Sequence, residues 1–570
     1  MPTKNSLERE AVARPFPADP SSCHDDVGTT TSPRWPLAPL ALAVLATASA
    51  CAPVDESFVV DTTDDAHDSV PGDGVCATLE GQCSLRAAIE ETNATPVDVG
   101  VRVDVGAGHY ELTLDTGVPH EGLVLSRGNV TVQGAGREQS VVDGLGERRL
   151  LRIDGVHNRL ITIESLSLVN GWVPEARNGG AVFIVSYELP GVTPYLVSFV
   201  DTEIADSHAG FRGGGIYAAG KGTLNVVDSQ VHDNGATQGC ATSIVGGGQS
   251  GGGGIFIGGG TLHLVHTEVR GNCGSNGGGI RVIGPHAGEH LILGSTLSGN
   301  LSMTSGGGLN LYGSGMLIED STFTGNEVTT SDAWERRSVG GIHVENSALT
   351  IESSTIVGNE NPYARYGYGN APSSGAGGVL SHLGSVVMRN SVLAEHADSS
   401  LRECFGPIVS AGGNFLGESD EGCQFGSVPT DIVDGGDPKL GPLGFNGGST
   451  RTLHPSSDSP LLDAGIPGCE PIDQRAAGFE APSGGACDIG AVERQVDDSG
   501  REQGTPGSLA ELLDGDAPWA EAYPELRRAA ERLGEEAGVD PDARPGDLLV
   551  PLRRSGSEPV QEKLSSESGR

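Results

Sequence analysis

The chain has 570 residues, 88 of them glycine, with 4% aromatic and 36% hydrophobic residues. Glycine at about twice the usual roughly 7%, without a Gly-X-Y period, excludes collagen and a thick interior filled by large side chains. Lys+Arg 35 against Asp+Glu 75 leaves a net charge of -40, which repels phosphate backbones and argues against a nucleic-acid partner.

Residues 1–51 read as an export segment. Trp35–Ala50 (WPLAPLALAVLATASA) is apolar but too short, and too interrupted by Pro36 and Pro39, to span a membrane. Ala48-Ser49-Ala50 satisfies the small-x-small rule for a cleaved soluble signal. Cys51 directly after it resembles the lipidated cysteine of a bacterial lipobox, with Ala48 where such boxes carry Leu. The two readings stay open, one giving a released protein and the other a lipid anchor at Cys51, the sole expected membrane contact. The polar stretch before the apolar run is long for a signal, and Val27 is an alternative start that leaves Arg34 as its charge. Both readings place the protein outside the cell, on the outer-membrane surface or in the medium.

Of ten cysteines, Cys23 and Cys51 belong to the leader. The other eight fall in local couples, Cys76/Cys83, Cys240/Cys273, Cys404/Cys423 and Cys469/Cys487. Many connectivities are open to eight cysteines; an even number in an exported chain favours disulfides, and pairing neighbours is the simplest set. No C-x2-C pair points to zinc.

Residues 58–98 end in CSLRAAIEETNA and a short connection. Ser84 is placed to N-cap a short amphipathic helix carrying Leu85, Ala88 and Ile89. The segment resembles the CSLREA-type segment at the start of exported bacterial β-helix proteins, with Ala87 where that motif has Glu. Such a helix would cover the open end of a stack of strands.

One unit recurs through residues 179–396, inside a repeat region expected over 99–410. Its first half is a glycine turn running into a short apolar strand: GGAVFI at 179, GGGIYA at 213, GGGGIFI at 251, GGGIRV at 277, GGGLNL at 306, GGIHV at 340 and GGVL at 377. Its second half registers on a hydroxyl, Thr202, Ser229, Thr267, Ser295, Ser321, Ser354 and Ser391. Three residues earlier stand Phe199, Val226, Leu264, Ile292, Ile318, Ile351 and Met388, and two later Ile204, Val231, Val269, Leu297, Phe323, Ile356 and Leu393. Five later, most units have asparagine: Asn234, Asn272, Asn300, Asn326 and Asn359. Hydroxyl spacings run from 26 (Ser295 to Ser321) to 38 (Ser229 to Thr267), a core of about 25 residues with inserts, which is the mark of a stacked repeat.

Period-2 alternation and glycine punctuation make the units strands, and two strands leave no room for a long helix in the shortest unit. The predicted fold is all-β, a right-handed parallel β-helix with an N-terminal helical cap and a disulfide-held C-terminal cap. Each unit makes one coil of about three strands, paired to the next coil ~4.8 Å along the axis. Glycines then supply positive φ at a corner, the hydroxyls satisfy backbone groups at another, and the asparagines, tolerant of left-handed backbone, pass amide hydrogen bonds between coils. The repeat resembles the GGA(I/L/V) and FxxN repeats of chlamydial polymorphic outer-membrane proteins, literally at GGAV 179–182 and Phe323-Thr-Gly-Asn326; the resemblance implies a surface-exposed β-helix linked to adhesion.

Residues 411–494 contain NGGSTRT, SPLLDAG and DIGAVE, which resemble the choice-of-anchor Q region of bacterial surface β-helix proteins and imply last coils plus a cap. Residues 495–570 are acidic and interrupted by proline, reading as a largely disordered tail with weak helical stretches.

No polygalacturonase-like acid series and no basic cluster is evident. The stacked acids Asp201 and Asp228, with Asp320 further along, read as turn formers. The better candidates are the outward residues after the glycine turn, Val182, Tyr217, Phe256, Arg281, Asn310, His343 and Leu380. Of these Tyr217, Phe256, Arg281, Asn310 and His343 are the expected ligand-binding residues, able to track an extended glycan by stacking and hydrogen bonding. The alternative is an ordinary strand face covered by loops. No cofactor is expected; calcium is the one candidate, on Asp61, Asp64, Asp65, Asp68 and Asp73, against the reading of a solvated acidic loop. The function expected is a monomeric, non-catalytic surface or secreted protein presenting this face to extracellular polysaccharide or surface proteins. The alternative is a secreted carbohydrate-active enzyme, a polysaccharide lyase or glycosidase.

Overall fold

The computed structural model describes residues 55–495 apart from 156–158, 187–193, 237–250, 285–289, 330–336, 363–374, 395–401, 470, 477–478, 480 and 482–485. Residues 1–54 (the expected export segment with Cys51), Cys240, and residues 496–570 (the expected acidic tail) lie outside the described residues.

The inward positions explain the fold first. Every apolar residue registered three before or two after the hydroxyl, from Phe199 and Ile204 to Met388 and Leu393, is fully buried. Each such Val, Leu or Ile contributes roughly 1.5–3 kcal/mol relative to exposure, and like residues from successive coils meet in one continuous core. The coil around Ile280 shows the plan. Ile280–Ile283 lies in a first sheet, His290–Leu293 in a second, Thr296–Ser298 in a third and Leu301–Ser305 in a fourth. Each strand pairs in parallel with its counterpart one coil away. This is a right-handed parallel β-helix, the hand that parallel crossovers almost always take. Among the described residues the third sheet has 12 strands and the fourth 6, while the first two merge at Cys404–Ser410, which pairs with a strand of each. The middle coils therefore carry four strands rather than three.

Two of the recurring corners built on left-handed backbone carry the hydroxyl and asparagine files. The residue before the hydroxyl is left-handed at Asp201, Asp228 and Asp320 (φ 48°, 48° and 45°), so these acids are turn formers as expected. The hydroxyls then run coil to coil: the backbone N–H of Thr267 donates to Ser295 Oγ (3.1 Å), Ser295 N–H to Ser321 Oγ (3.1 Å), Ser321 N–H to Ser354 Oγ (3.2 Å). The asparagine file does the same. Asn272 Nδ2 donates to Asn300 Oδ1 (3.0 Å), Asn300 Nδ2 to Asn326 Oδ1 (2.9 Å), and Asn326 Nδ2 to Asn359 Oδ1 (2.8 Å). One detail differs from expectation. The left-handed residue is the one before each asparagine, Asp233, Gly271, Gly299, Gly325 and Gly358, because the Asn backbone N–H must point along the axis to reach the next side chain.

The N-terminal cap is as predicted, with one addition. Helix α1 (Leu85–Ala94) is N-capped by Ser84 Oγ, which accepts from Ala87 N–H at 3.0 Å, and buries Leu85, Ala88 and Ile89. Arg86 is buried as well, held by Asp65 (2.6 Å) and by the carbonyls of Gly122 and Leu114. Strand Glu56–Val60 pairs with Val101–Val105 and starts the second sheet. Disulfides join Cys76–Cys83, Cys404–Cys423 and Cys469–Cys487, and Cys273 is disulfide-bonded too. Among the described residues no helix is long and apolar enough to cross a membrane.

The C-terminal region does more than cap. After Phe415–Leu416 and Ile432–Val433 extend the third sheet, the chain turns back and runs as an arm over that sheet's outer face. Leu453, Leu461 and Ile489 pack on Val357, Val392 and Ala394. Further along, Gln474 Oε1 accepts from Thr322 Oγ1 (2.6 Å), Arg451 O accepts from Thr296 Oγ1 (2.5 Å), and Arg451 N–H donates to Glu268 Oε1 (2.8 Å). The motif residues hold the arm's own shape: Arg475 bridges Asp473 and the Glu493 carbonyl, and Asp488 accepts from the N–H groups of Asp463 and Arg494.

Candidate functional site

The register places the outward residues of the first sheet in one file: Arg152, Phe183, Tyr217, Phe256, Arg281, Asn310, His343, Leu380 and Phe405. The predicted Val182 does not belong to it. Ala181 stands where other units have their third glycine, so Val182 aligns with the inward Ile216 and the outward residue is Phe183. Tyr217, Phe256, Arg281, Asn310 and His343 are brought together as predicted, but they are not equally available. Asn310 and His343 are buried and bonded to each other, Asn310 Nδ2 to His343 Nδ1 at 3.1 Å. Burial holds the His343 imidazole down to about 3, so it is neutral and offers an approaching anion nothing. Phe256 and Leu380 are buried too. For these positions the covered-face reading holds.

Toward the N-terminal end the file is half-exposed at Arg152, Phe183, Tyr217 and Arg281. Phe183, Tyr217 and Phe256 stack, with ring centroids 5.2 Å apart at each step and planes within 9° and 7° of parallel. The coil spacing dictates this geometry, and each stacked pair is worth about 0.5–1.5 kcal/mol beyond burial. Because the faces are turned on one another, a ligand meets ring edges and the guanidiniums around them. Arg149 lies 4.7 Å and Arg152 5.9 Å from the Phe183 centroid, and Arg212 4.8 Å from that of Phe256. Arg149 is committed to the fold through a buried ion pair with Glu121. Arg212 also bonds the Tyr217 hydroxyl; burial raises that phenol above its ordinary value, and Arg212 opposes the rise.

The outer face of the second sheet is tied up in its middle coils. Ser198 and Asn225 are fully buried and joined to His263 through hydrogen bonds of 3.1 Å each, and burial holds His263 down to about 4. Nor do the N-terminal aspartates converge. Asp65 pairs with Arg86, while Asp61, Asp68 and Asp73 accept from the N–H groups of Cys83, Val70 and Val75. Among the described residues no group of His, Cys, Asp and Glu is placed to hold a metal ion.

The third sheet carries a cluster that the sequence reading passed over. His232 Nε2 lies 2.9 Å from Glu203 Oε1 and its Nδ1 2.8 Å from Asp233 Oδ2, while Ser167 Oγ donates to Glu203 Oε2 at 2.6 Å. The bond to His232 foremost holds Glu203 below the usual carboxylate range, against burial. Burial opposes the His232 imidazolium, but the bonds to Glu203 and Asp233 outweigh it and raise the imidazole, with Arg270 opposing. Stabilisation from the raised imidazole is full below its ordinary value of 6.5 and is lost as pH rises through the folded value. Stabilisation from the depressed carboxylate is full above 4.5 and is lost as pH falls through its folded value. The stability difference between the wild type and His232→Gln is therefore expected to peak between pH 4.5 and 6.5 and to shrink on both sides, as read from urea midpoints across pH. A difference independent of pH would show that the charges are not coupled to folding.

No family model matches the chain, and no curated protein sequence matches it. Among solved structures it is similar to pectate lyase Pel9A at 14% identity, over 79% of this chain and 100% of that one, with a TM-score of 0.38. It is similar to the A-module of mannuronan C-5 epimerase AlgE6 from Azotobacter vinelandii at 12% identity, over 66% and 98%, with a TM-score of 0.26. A mannuronic-acid-specific family 6 polysaccharide lyase from human gut microbiota is similar at 14% identity, over 60% and 79%, with a TM-score of 0.28.

Proposed function

We propose that the protein is an exported, non-catalytic β-helix whose first-sheet face binds an extended acidic polysaccharide at or beyond the cell surface. The observation that carries this reading is the half-exposed set Arg152, Phe183, Tyr217 and Arg281, at one residue per coil on coils whose stacked rings lie 5.2 Å apart. That repeat is close to the length of one sugar in an extended chain, so a chain lying along the file can set carboxylates at Arg152 and Arg281 and pass ring edges between them. Arginine suits the task, since its planar fork pairs with carboxylates and its charge survives at any pH of interest. On a chain of net charge -40 such a strip selects for its own local field. The CSLRAAIEETNA, NGGSTRT, SPLLDAG and DIGAVE strings support placing the chain with exported bacterial β-helix proteins of the CSLREA and choice-of-anchor Q type. In this reading the protein works as a monomer, tethered through a lipid on Cys51 or released after Ala50, and adhesion is the use to which the bound glycan is put.

Substituting Arg152→Gln, Tyr217→Ala and Arg281→Gln together is expected to weaken binding to polygalacturonate or alginate at least ten-fold at low salt, measured by affinity electrophoresis. Unchanged mobility in both gels would remove the reading. One observation favours a second reading, a secreted polysaccharide lyase. The Tyr217 hydroxyl beside the Arg212 guanidinium unites a proton-transfer group with a charge that can neutralise a uronate. Growth of unsaturated-uronate absorbance on incubation with those polymers, lost in Tyr217→Phe, would establish it.

A further inference from the structure

The third sheet carries a groove separate from the arginine–aromatic face. Its floor is the file of third strand residues, His232, Arg270, Ser298 and Thr324, one per coil, and its wall is the returning arm at Leu443 and Arg451. Between them lies an open depression of about 420 Å³ lined by Arg270, Ser298, Thr324, Leu443, Arg451 and the corner glycines.

Two guanidiniums from different elements converge there on one carboxylate. Arg451 Nε lies 3.0 Å from Glu268 Oε1 and Arg270 Nε 3.8 Å from Glu268 Oε2. The Glu268 side chain is 4% exposed, whereas those of Arg270 and Arg451 keep 31% and 27%. The buried carboxylate thus anchors both cations while leaving each partly open to the depression. Their other contacts are long: Arg270 Nη1 to Asp233 Oδ2 at 3.4 Å and Arg451 Nη2 to Ser298 Oγ at 3.4 Å. Arg270 pairs with Asp233 as well as Glu268, so the charges balance within the cluster, and it is the partly exposed edges of the two guanidiniums that can donate to an anion on the open side.

The groove is open along its corner. The left-handed position before the asparagine file is glycine at Gly271, Gly299, Gly325 and Gly358, and a Cβ at Gly299 would meet nothing within 4 Å, so no side chain from that corner fills the space.

We propose that this groove is a binding site for a sugar bearing one oxyanion, a carboxylate or a sulfate ester. Arg270 and Arg451 hold the oxyanion, and Ser298 and Thr324 meet the sugar hydroxyls. The test is saturation-transfer NMR on the full chain with methyl glucuronide, glucose 6-sulfate and neutral methyl glucoside. One or both anionic sugars are expected to bind and the neutral sugar not to. A response to the glucuronide alone assigns a carboxylate, and a response to the sulfate ester alone assigns a sulfated sugar. Arg270→Gln is expected to weaken binding at least ten-fold. Arg451→Gln also touches the docking of the arm, so Thr324→Val serves as the second variant and is expected to weaken binding several-fold with the unfolding midpoint unchanged. Tyr217→Ala, on the other face, is expected to leave this binding as it is. Silence with both anionic sugars, equal binding of the neutral one, or undiminished binding in Arg270→Gln overturns the proposal.

Discussion

Replacing Asn300 by leucine is expected to cost about 3–5 kcal/mol of stability and to strip protection from the Asn272 amide. Asn300 is fully buried; its side chain accepts from Asn272 N–H (3.1 Å) and Nδ2 (3.0 Å) and donates to the Val269 carbonyl (2.8 Å) and Asn326 Oδ1 (2.9 Å). Leucine fills the same space but leaves the Asn272 N–H without a partner and removes the side-chain bonds to the Val269 carbonyl and to Asn326 Oδ1. Each buried polar group so orphaned costs roughly 1–3 kcal/mol. Coils contact only their neighbours, so the damage should be local as well as global. Urea unfolding reads the first and hydrogen exchange at Asn272 the second. Native-like protection of that amide would mean the file is not structural.

Gly278→Ala should be worse. A Cβ there would lie 2.5 Å from the Leu301 carbonyl oxygen and 2.6 Å from the Leu301 carbonyl carbon and the Gly307 oxygen. All three atoms are backbone, from the coil's fourth strand at Leu301 and the next glycine turn at Gly307, so no side chain can rotate away and the backbone segments must part. A loss above about 4 kcal/mol is expected, the range reserved for disrupted cores. Gly299→Ala is the contrast. Its φ is 60° but its Cβ would meet nothing within 4 Å, so only the left-handed penalty of about 1–2 kcal/mol applies. Far-ultraviolet circular dichroism at 25 °C should show Gly278→Ala largely unfolded and Gly299→Ala native.

The coil was legible because its cause is local and repeated. A hydroxyl with apolar residues three before and two after predicts burial in every unit, and the asparagine five later predicts a bonded file. The same register turns Glu203, His232, Glu268 and Arg270 outward, since they stand one or three after the hydroxyl, and their charges are the signal that marks this face. The fourth sheet was missed because its strands, such as Cys273–Asn276 and Leu301–Ser305, are too rich in Gly, Ser and Asn for alternation to show. Val182 was misplaced because Ala181 breaks the glycine triplet. The arm was beyond sequence reasoning: Thr322 and Gln474 meet across 152 residues, and nothing in NGGSTRT or DIGAVE announces the sheet they lie on. Burial of Asn310 and His343 is likewise set by what covers the strand, not by the strand.

The stacked file therefore divides into a covered half and an open half, and the open half is the part on which the functional reading rests. Affinity of the full chain for a length series of oligouronides at low salt tests it most directly. Affinity is predicted to rise with each added sugar until the ligand spans the coils from Arg152 to Arg281, to level off beyond that, and to fall as salt is raised. Equal affinity for the dimer and the longest oligomer, or a rise that continues past that span, would contradict it.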